Sequence, residues 1–294
     1  MSGAMRAAVL GYPIAHSLSP WIHSYWLETL GLHGSYTAQQ VPPTIDALKA
    51  ALDSLQQSGY TGCNLTVPLK QMVLQLHRYS ASQSVTHIGA ANTLVFAGDP
   101  QLHNTDVYGV AHCMEELGCA SSNQRVLLLG AGGAARAAAA WAQDAGHRLT
   151  LAARTISKAQ LLCTDMGVTA MVLNARDEEA LQSAYAHSDV VIQSTSAELE
   201  ENAEAIEPLL PKVDLQGKVF MDMVYRKKPV DVALPSTSTR WSRRAAQLGA
   251  RSEDGLRMLV AQAAQAFQLW TGRAPDIGST LVQVRRSLAV SAIQ

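Results

Sequence analysis

The chain has 294 residues, enough for about two domains with packed cores. Its 48% apolar and 16% charged content leaves no disordered tract, and a net charge of -1 gives no electrostatic footprint for nucleic acid or an anionic membrane. The basic cluster Arg240, Arg243 and Arg244 reads as a solvated helix face.

The first apolar run, "AAVLG", is broken by Gly11 and Pro13, too early for a membrane span or a signal segment, and reads as a first buried strand. No other segment spans a membrane, and the four cysteines show no C-x-x-C spacing, so free thiols in a cytoplasmic protein are expected. "AMRAAVLG" is strand-like; "SPWIHSYWLETLG" follows as a helix with Ser19 as candidate N-cap, Pro20 at its first position and Gly31 just past its end. "SYTAQQV" is a strand, and "TIDALKAALDSLQQSG" places Ile45, Leu48, Leu52 and Leu55 at helical spacing. Gly62 to Val67 alternates as a strand that Pro68 ends, with Lys70 just beyond, either a plain surface charge or a catalytic group. "IGAANTLVF", the turn "AGDPQ" and a short strand into "HNTD" complete a βα alternation that predicts a mainly parallel sheet covered by helices.

A second unit begins near Val107. "RVLLLG", "RLTLAAR", "DVVIQSTS" and "GKVFMDMVY" are its strands, with helical stretches between them, as in a doubly wound Rossmann domain. Gly130-Ala131-Gly132-Gly133-Ala134-Ala135 fits G-x-G-x-x-[GA] between a buried strand and a helix. Glycines there admit a pyrophosphate close to the backbone, and the free N–H groups of the helix start attract its charge. NAD sites usually carry an acid about 20 residues downstream. Here the next strand ends in Ala153-Arg154-Thr155 with Lys158 one turn on, so two cations stand where a 2′-phosphate would lie, and NADP is the expected cofactor. "DGLRMLVAQAAQAFQLWTG" is one long helix, and periodicity does not say which unit it joins.

Polar groups gather at the strand ends of the first unit: Ser17 and Ser19, Thr66 and Lys70, Asn92, and Asp106. Such ends face the ligand crevice in open α/β sheets, and these groups suit a small polyhydroxylated acid. The chain resembles the shikimate dehydrogenases through "GYPIAHSLSPWIH" at 11–23, "GYTGCNLTVPLK" at 59–70, "IGAANTLV" at 88–95, "NTDVYG" at 104–109, "GAGGAARA" at 130–137, "DMVY" at 222–225 and "DGLRMLVAQAAQAF" at 254–267. The resemblance implies a cytoplasmic, NADP-dependent oxidoreductase reducing 3-dehydroshikimate to shikimate in chorismate biosynthesis. It implies two α/β domains with the active site in the cleft between them: residues 1–106 and 253–294 as a discontinuous substrate domain, and 107–252 as the Rossmann domain. Lys70 and Asp106 would be the catalytic pair. Ser17 and Ser19 would hold the substrate carboxylate, and Thr66, Asn92, Tyr225 and Gln262 would complete the substrate site. Gly130 to Ala134 would cradle the pyrophosphate, Ala153 to Lys158 would cover the adenosine phosphate, and Met223 and Gly255 would line the nicotinamide end. No metal is implied, and nothing separates monomer from homodimer.

The chain departs from the family pattern in four places. Ala153 replaces an Asn, Gln193-Ser194-Thr195-Ser196-Ala-Glu-Leu replaces Asn-x-Thr-Ser, Ser24 replaces the Asn after His23, and "RKKPVDVALPSTSTRW" only partly echoes a Thr-Pro-Leu signature. Among the nine histidines, His16 and His23 flank the two serines without ligand spacing and read as structural. Ser19 and Asp106 each have a plainer reading as helix caps, and Trp21, Trp26 and Trp270 read as packing. The rival functions are a quinate/shikimate dehydrogenase using NAD(P) and a regulator that binds shikimate-like acids without turnover.

Overall fold

The computed structural model describes residues 4–15, 17–119, 122–197, 206–226 and 237–291. The chain forms two compact units, one of residues 1–108 and 259–280, the other of 109–258 and 281–294. The sequence-based division drew the units as 1–106 with 253–294, and 107–252.

The first unit runs β1 (Met5–Gly11), α1 (Ser19–Thr29), β2 (Gly34–Gln40), α2 (Ile45–Gln57), β3 (Gly62–Leu65), α3 (Leu69–Met72), β4 (Ser80–Ala81), α4 (Gln83–Ile88), β5 (Thr93–Val95), β6 (Gln101–His103) and the start of α5 (Asp106–Glu116). Its six strands lie in the order β2-β1-β3-β5-β6-β4. β5 alone runs against its neighbours β3 and β6, so the sheet is mainly parallel but mixed. β1, paired on both sides, has a nearly continuous apolar and buried face, whereas edge strand β2 exposes most of its residues. Thr44 caps α2 by accepting from Ala47 N–H, and Leu48, Leu52 and Leu55 pack that helix onto the sheet.

Helix α1 differs from expectation at its start. Leu18 is the cap residue, and Ser19 and Pro20 are its first two helical positions; the Ser19 N–H is met instead by Ser17 Oγ at 3.2 Å. At the other end Gly31 takes φ +62, and the Leu32 N–H returns to Leu27 O, a left-handed stop that glycine tolerates without strain.

The second unit continues with β7 (Arg125–Leu129), α6 (Gly133–Asp144), β8 (Arg148–Ala153), α7 (Ile156–Met166), β9 (Ala170–Asn174), α8 (Glu178–His187), β10 (Val190–Gln193), β11 (Val219–Asp222), α9 (Arg240–Gln247) and β12 (Arg251–Glu253). All its strand pairs are parallel, in the order β12-β11-β10-β7-β8-β9. The order reverses between β7 and β10, the switch point where such sheets take ligands. Six buried alanines of α6, Ala135, Ala137 to Ala140 and Ala142, let the helix lie close to the sheet. Arg240, Arg243 and Arg244 are half-buried rather than solvated: Arg243 Nε donates to Thr239 O and Arg244 Nε to Pro211 O. The four cysteines are free, three of them buried.

The long helix α10 (Leu256–Thr271) starts in the second unit and joins the first from Leu259. Trp270 Nε1 donates to Leu94 O of β5 at 3.1 Å, and Phe267 and Trp270 pack around His23 with Trp26 and Tyr36. Helix α11 (Ile277–Ser291) follows, its Thr280 accepting from Trp26 Nε1 at 2.7 Å. Gly62 lets α10 approach, since a Cβ there would lie 2.2 Å from Leu94 O and 2.3 Å from Trp270 Nε1. Gly62→Ala is expected to lose about 2 kcal/mol or more of stability, read as a lower midpoint in urea unfolding. An unchanged midpoint would mean that α10 does not press on β3. No helix among the described residues is long and apolar enough to cross a membrane.

Candidate active site

β3 ends at Leu65, two residues before the expected Val67, because the chain turns there: Thr66 O accepts from Leu69 N–H at 2.7 Å and opens the single turn of α3. Lys70 therefore rides on a short helix just past the strand, not on the strand itself. Its backbone carbonyl accepts from Ala91 N–H at 2.8 Å, which fixes α3 to the segment entering β5. Lys70 Nζ donates to Asp106 Oδ2 at 2.6 Å, with the lysine side chain 15% exposed and the aspartate 5%. The pair is largely dry but reachable from the lysine side.

Asp106 is the first residue of α5, not its cap. Asn104 Oδ1 accepts the Asp106 N–H at 3.0 Å, which frees the Asp106 carboxylate for side chains. Asp106 Oδ1 accepts from Asn92 Nδ2 at 2.9 Å, and Asn92 Nδ2 also reaches Gln262 Oε1 at 3.3 Å. Gln262 Nε2 donates to Leu259 O at 2.8 Å. Lys70, Asp106, Asn92 and Gln262, far apart in sequence, thus form one bonded group. An ammonium has three N–H donors and an amide nitrogen two. The lysine keeps two donors and the glutamine one for a ligand.

The remaining first-unit candidates are Ser17, Ser19 and Thr66. Ser17 is half-buried, and Ser19 is buried with its hydroxyl hydrogen-bonded to the Tyr36 hydroxyl. No side chain caps the start of α1 through Leu18, and an anion is favoured at such a helix start. Thr66 is half-buried at the end of β3, its methyl set against Gly11, where a Cβ would come within 2.4 Å. Tyr36 donates to Asn64 Oδ1 at 2.6 Å, and Asn64 bonds Thr93 and the Asn92 carbonyl. Tyr36, Thr93, Asn104 and Thr105 were not singled out in the sequence; the available signal was the polar residues inside apolar runs such as "ANTL". His23 is fully buried, and burial lowers its pKa to about 3; it is a neutral packing group, as read. His16 lies outside the described residues.

In the second unit Gly130 takes φ +109, and a Cβ there would lie 2.6 Å from Ser194 Oγ. Ser194 N–H and Oγ both donate to Leu129 O, so the ends of β7 and β10 meet at the switch point. Gly132 has open space where a Cβ would be, and it starts α6 without a side-chain cap, leaving the helix N–H groups directed outward. Ala131, Gly133 and Ala134 complete the loop. Ala153 is buried at the end of β8, whereas Arg154, Thr155 and Lys158 are exposed at the uncapped start of α7. Free N–H groups at a helix start, with exposed cations beside them, favour an anion. Gly255 N–H donates to Val224 O at 2.9 Å, and a Cβ on Gly255 would strike Met223 O at 2.5 Å, so these two candidates are brought together. Tyr225 is half-buried in this unit.

Family models cover most of the chain: the shikimate dehydrogenase substrate binding domain at residues 9–94, shikimate / quinate 5-dehydrogenase at 113–235, and the shikimate 5′-dehydrogenase C-terminal domain at 255–281. Shikimate dehydrogenase (NADP(+)) of Paracidovorax citrulli is 37% identical over 95% of this chain and 96% of its own length. The chain belongs to the shikimate dehydrogenase family. It is similar to the crystal structure of the Thermus thermophilus shikimate 5-dehydrogenase in complex with NADP(H) and shikimate, at TM-score 0.77 and 33% identity, covering 97% of this chain and 99% of that one. It is also similar to a quinate dehydrogenase from Corynebacterium glutamicum in complex with NAD, at TM-score 0.78 and 27% identity, covering 96% and 98%. This member of the shikimate dehydrogenases is therefore an NAD(P)-linked oxidoreductase with two α/β domains, one bearing the mixed sheet and one the Rossmann sheet.

Its departures from the family pattern have structural content. Gln193, in place of the usual Asn, is fully buried and turns back on its own loop: Nε2 donates to Thr195 O and to Asp222 Oδ1, and Oε1 accepts the Thr195 N–H. Asp222 Oδ2 in turn accepts from Thr239 Oγ1 at 2.5 Å, and Thr239 caps α9 reciprocally with Ser242. Thr239 was missed because it stands well beyond Tyr225; residues 227–236 between them lie outside the described residues, as do Glu198 and Leu199 of the altered loop.

Proposed function

We propose that the protein is an NADP-dependent shikimate dehydrogenase that reversibly reduces 3-dehydroshikimate to shikimate, with Lys70 and Asp106 as its acid–base pair. The observation that carries this reading is the 2.6 Å contact between Lys70 Nζ and Asp106 Oδ2, bonded onward to Asn92 and Gln262. A regulator that only bound the acid would have no use for such a pair beside the ligand groups.

Reducing a ketone builds negative charge on the carbonyl oxygen, and a donor within hydrogen-bond reach lowers the barrier. Bound NADPH supplies the hydride. Lys70 gives the oxygen a proton in that direction and removes the hydroxyl proton in the other. Asp106 holds the Lys70 side chain in place and accepts from a substrate hydroxyl. Ser17 and Ser19, with the start of α1, hold the carboxylate; Thr66, Asn92 and Gln262 bind ring hydroxyls, and Tyr225 completes the site. Gly130 to Ala134 bind the pyrophosphate, while Met223 and Gly255 flank the nicotinamide. Arg154 just past β8 and Lys158 in the first turn of α7, both exposed where no acid stands, favour a 2′-phosphate.

The test is reduction of NADP⁺ and of NAD⁺ by the purified protein with shikimate and with quinate, followed by absorbance. Turnover is expected with shikimate and NADP⁺, and kcat/KM is expected to fall by about tenfold or more with either replacement. Preference for quinate with NAD⁺ would overturn the assignment, as would binding without turnover.

A further inference from the structure

The buried net behind Asp106 has a fixed polarity, set by two backbone groups that cannot reverse. The carbonyl of Asn92 only accepts, and Asn64 Nδ2 lies 3.1 Å from it. Asn64 is therefore seated with its nitrogen toward β5 and its oxygen toward Tyr36, which must donate. The second Asn64 proton meets Thr93 Oγ1 at 3.0 Å. The Thr105 N–H only donates, and Asn92 Oδ1 lies 2.8 Å from it, so Asn92 presents its Nδ2 to Asp106 Oδ1 and to Thr105 Oγ1, each at 2.9 Å. Thr93 Oγ1, already an acceptor, has one proton to place, and Asn92 Oδ1 at 2.9 Å is its nearest acceptor, with Thr105 Oγ1 at 3.5 Å. Asn92 Oδ1 has two lone pairs. With the Thr105 N–H and the Thr93 hydroxyl on it, that oxygen is full. The Thr105 hydroxyl, 3.2 Å from the same oxygen, then turns its proton to Gln262 Oε1 at 3.4 Å.

We infer that Thr93 is a positioning residue: its hydroxyl fills the second lone pair of the Asn92 oxygen, which the Thr105 N–H already orients, and so steadies the Asn92 amide against Asp106 and commits the Thr105 hydroxyl to Gln262. Thr93 is fully buried in β5 and acts only through these neighbours. Removing its hydroxyl leaves Asn64 Nδ2 one acceptor short and opens a lone pair on Asn92. The Thr105 hydroxyl moves to that lone pair and releases Gln262, and the Asn92 amide loses part of its hold on the carboxylate beside Lys70. This rests on the proposed roles of Lys70, Asp106 and Gln262.

Thr93→Val keeps the volume and loses the hydroxyl, while Thr93→Ser keeps the hydroxyl and loses the methyl. Thr93→Val is expected to lower kcat/KM for shikimate by about tenfold, with KM for NADP⁺ within about twofold of the parent, and Thr93→Ser to stay within about threefold of the parent. If the valine protein does not fold, Thr93→Ala takes its place, and the serine and alanine proteins then differ by the hydroxyl alone. Activity that follows the methyl, or serine and valine proteins equally impaired, would overturn the inference and leave Thr93 as packing. Lys70→Ala assayed alongside separates the two levels: a crippled Lys70→Ala protein with an unimpaired Thr93→Val protein sinks this inference alone, whereas an unimpaired Lys70→Ala protein sinks the acid–base reading.

Discussion

Lys70→Ala is expected to lower kcat for shikimate oxidation by about 10² or more, with a smaller change in shikimate affinity. The split follows from the geometry. Lys70 carries two donors beyond the one that meets Asp106 Oδ2, so its loss removes one contact to the substrate. Under the proposed roles, Ser17, Ser19, Thr66, Asn92 and Gln262 remain to bind the acid. The hydroxyl proton that oxidation must remove has no other amine in the bonded group to take it, so the chemical step takes the larger loss. Asp106→Asn is expected to lower kcat less than Lys70→Ala, because the amide oxygen still accepts from the lysine while its other half meets Asn92 Nδ2 with a donor. Steady-state kinetics in both directions, with shikimate binding measured by calorimetry, check the split. A loss in kcat under about tenfold for Lys70→Ala would dismiss it as the proton carrier.

The second large effect concerns stability rather than turnover. His23 is enclosed by Tyr36, stacked at 4.0 Å, and by Trp26, Phe267 and Trp270, and neither ring nitrogen has a hydrogen-bond partner among the described residues. Burial holds its pKa near 3 in the folded protein, against about 6.5 in the unfolded chain. At pH 7 both states leave the ring neutral. Below about 6.5 the unfolded chain takes up a proton that the folded protein refuses, so stability drains away as pH falls toward 3. By pH 4 this single ring accounts for a loss on the order of 3 kcal/mol. His23→Phe keeps an aromatic ring in the box and abolishes the titration. Urea unfolding at pH 7 and pH 4 is expected to show a smaller acid loss for the phenylalanine protein by about that amount, with His23→Leu as a second variant in case the larger ring overfills the space. Parallel losses in parent and variants would mean that water or an acid reaches the imidazole.

Much of this site was legible in the chain because its chemistry sits at strand ends. Lys70 follows a proline-terminated strand, Asn92 and Asp106 stand in short polar breaks between apolar runs, and the glycine loop lies between a buried strand and an alanine-rich helix. Local pattern was less able to say which of two neighbouring polar residues takes a cap. Ser17 rather than Ser19 meets the first free N–H of α1, and Asn104 rather than Asp106 does so at α5, because either side chain has the right length and only the packed turn selects one. The bonds from Asn64 to Thr93 and from Asn92 to Gln262 join residues from separate elements, and they exist only once β3, β5 and α10 lie together. The helical period of α10 was visible, but the close approach at Gly62 that brings its C-terminal half to the first sheet was not.

The most direct measurement is rescue of Lys70→Ala by small primary amines added to saturating shikimate and NADP⁺. If Lys70 carries the proton, turnover by the alanine protein rises in proportion to added amine, while the parent enzyme, whose own amine already fills that place, is unaffected. A Lys70→Ala protein that turns over at the parent rate with no amine present, needing only more shikimate to saturate, would contradict the account.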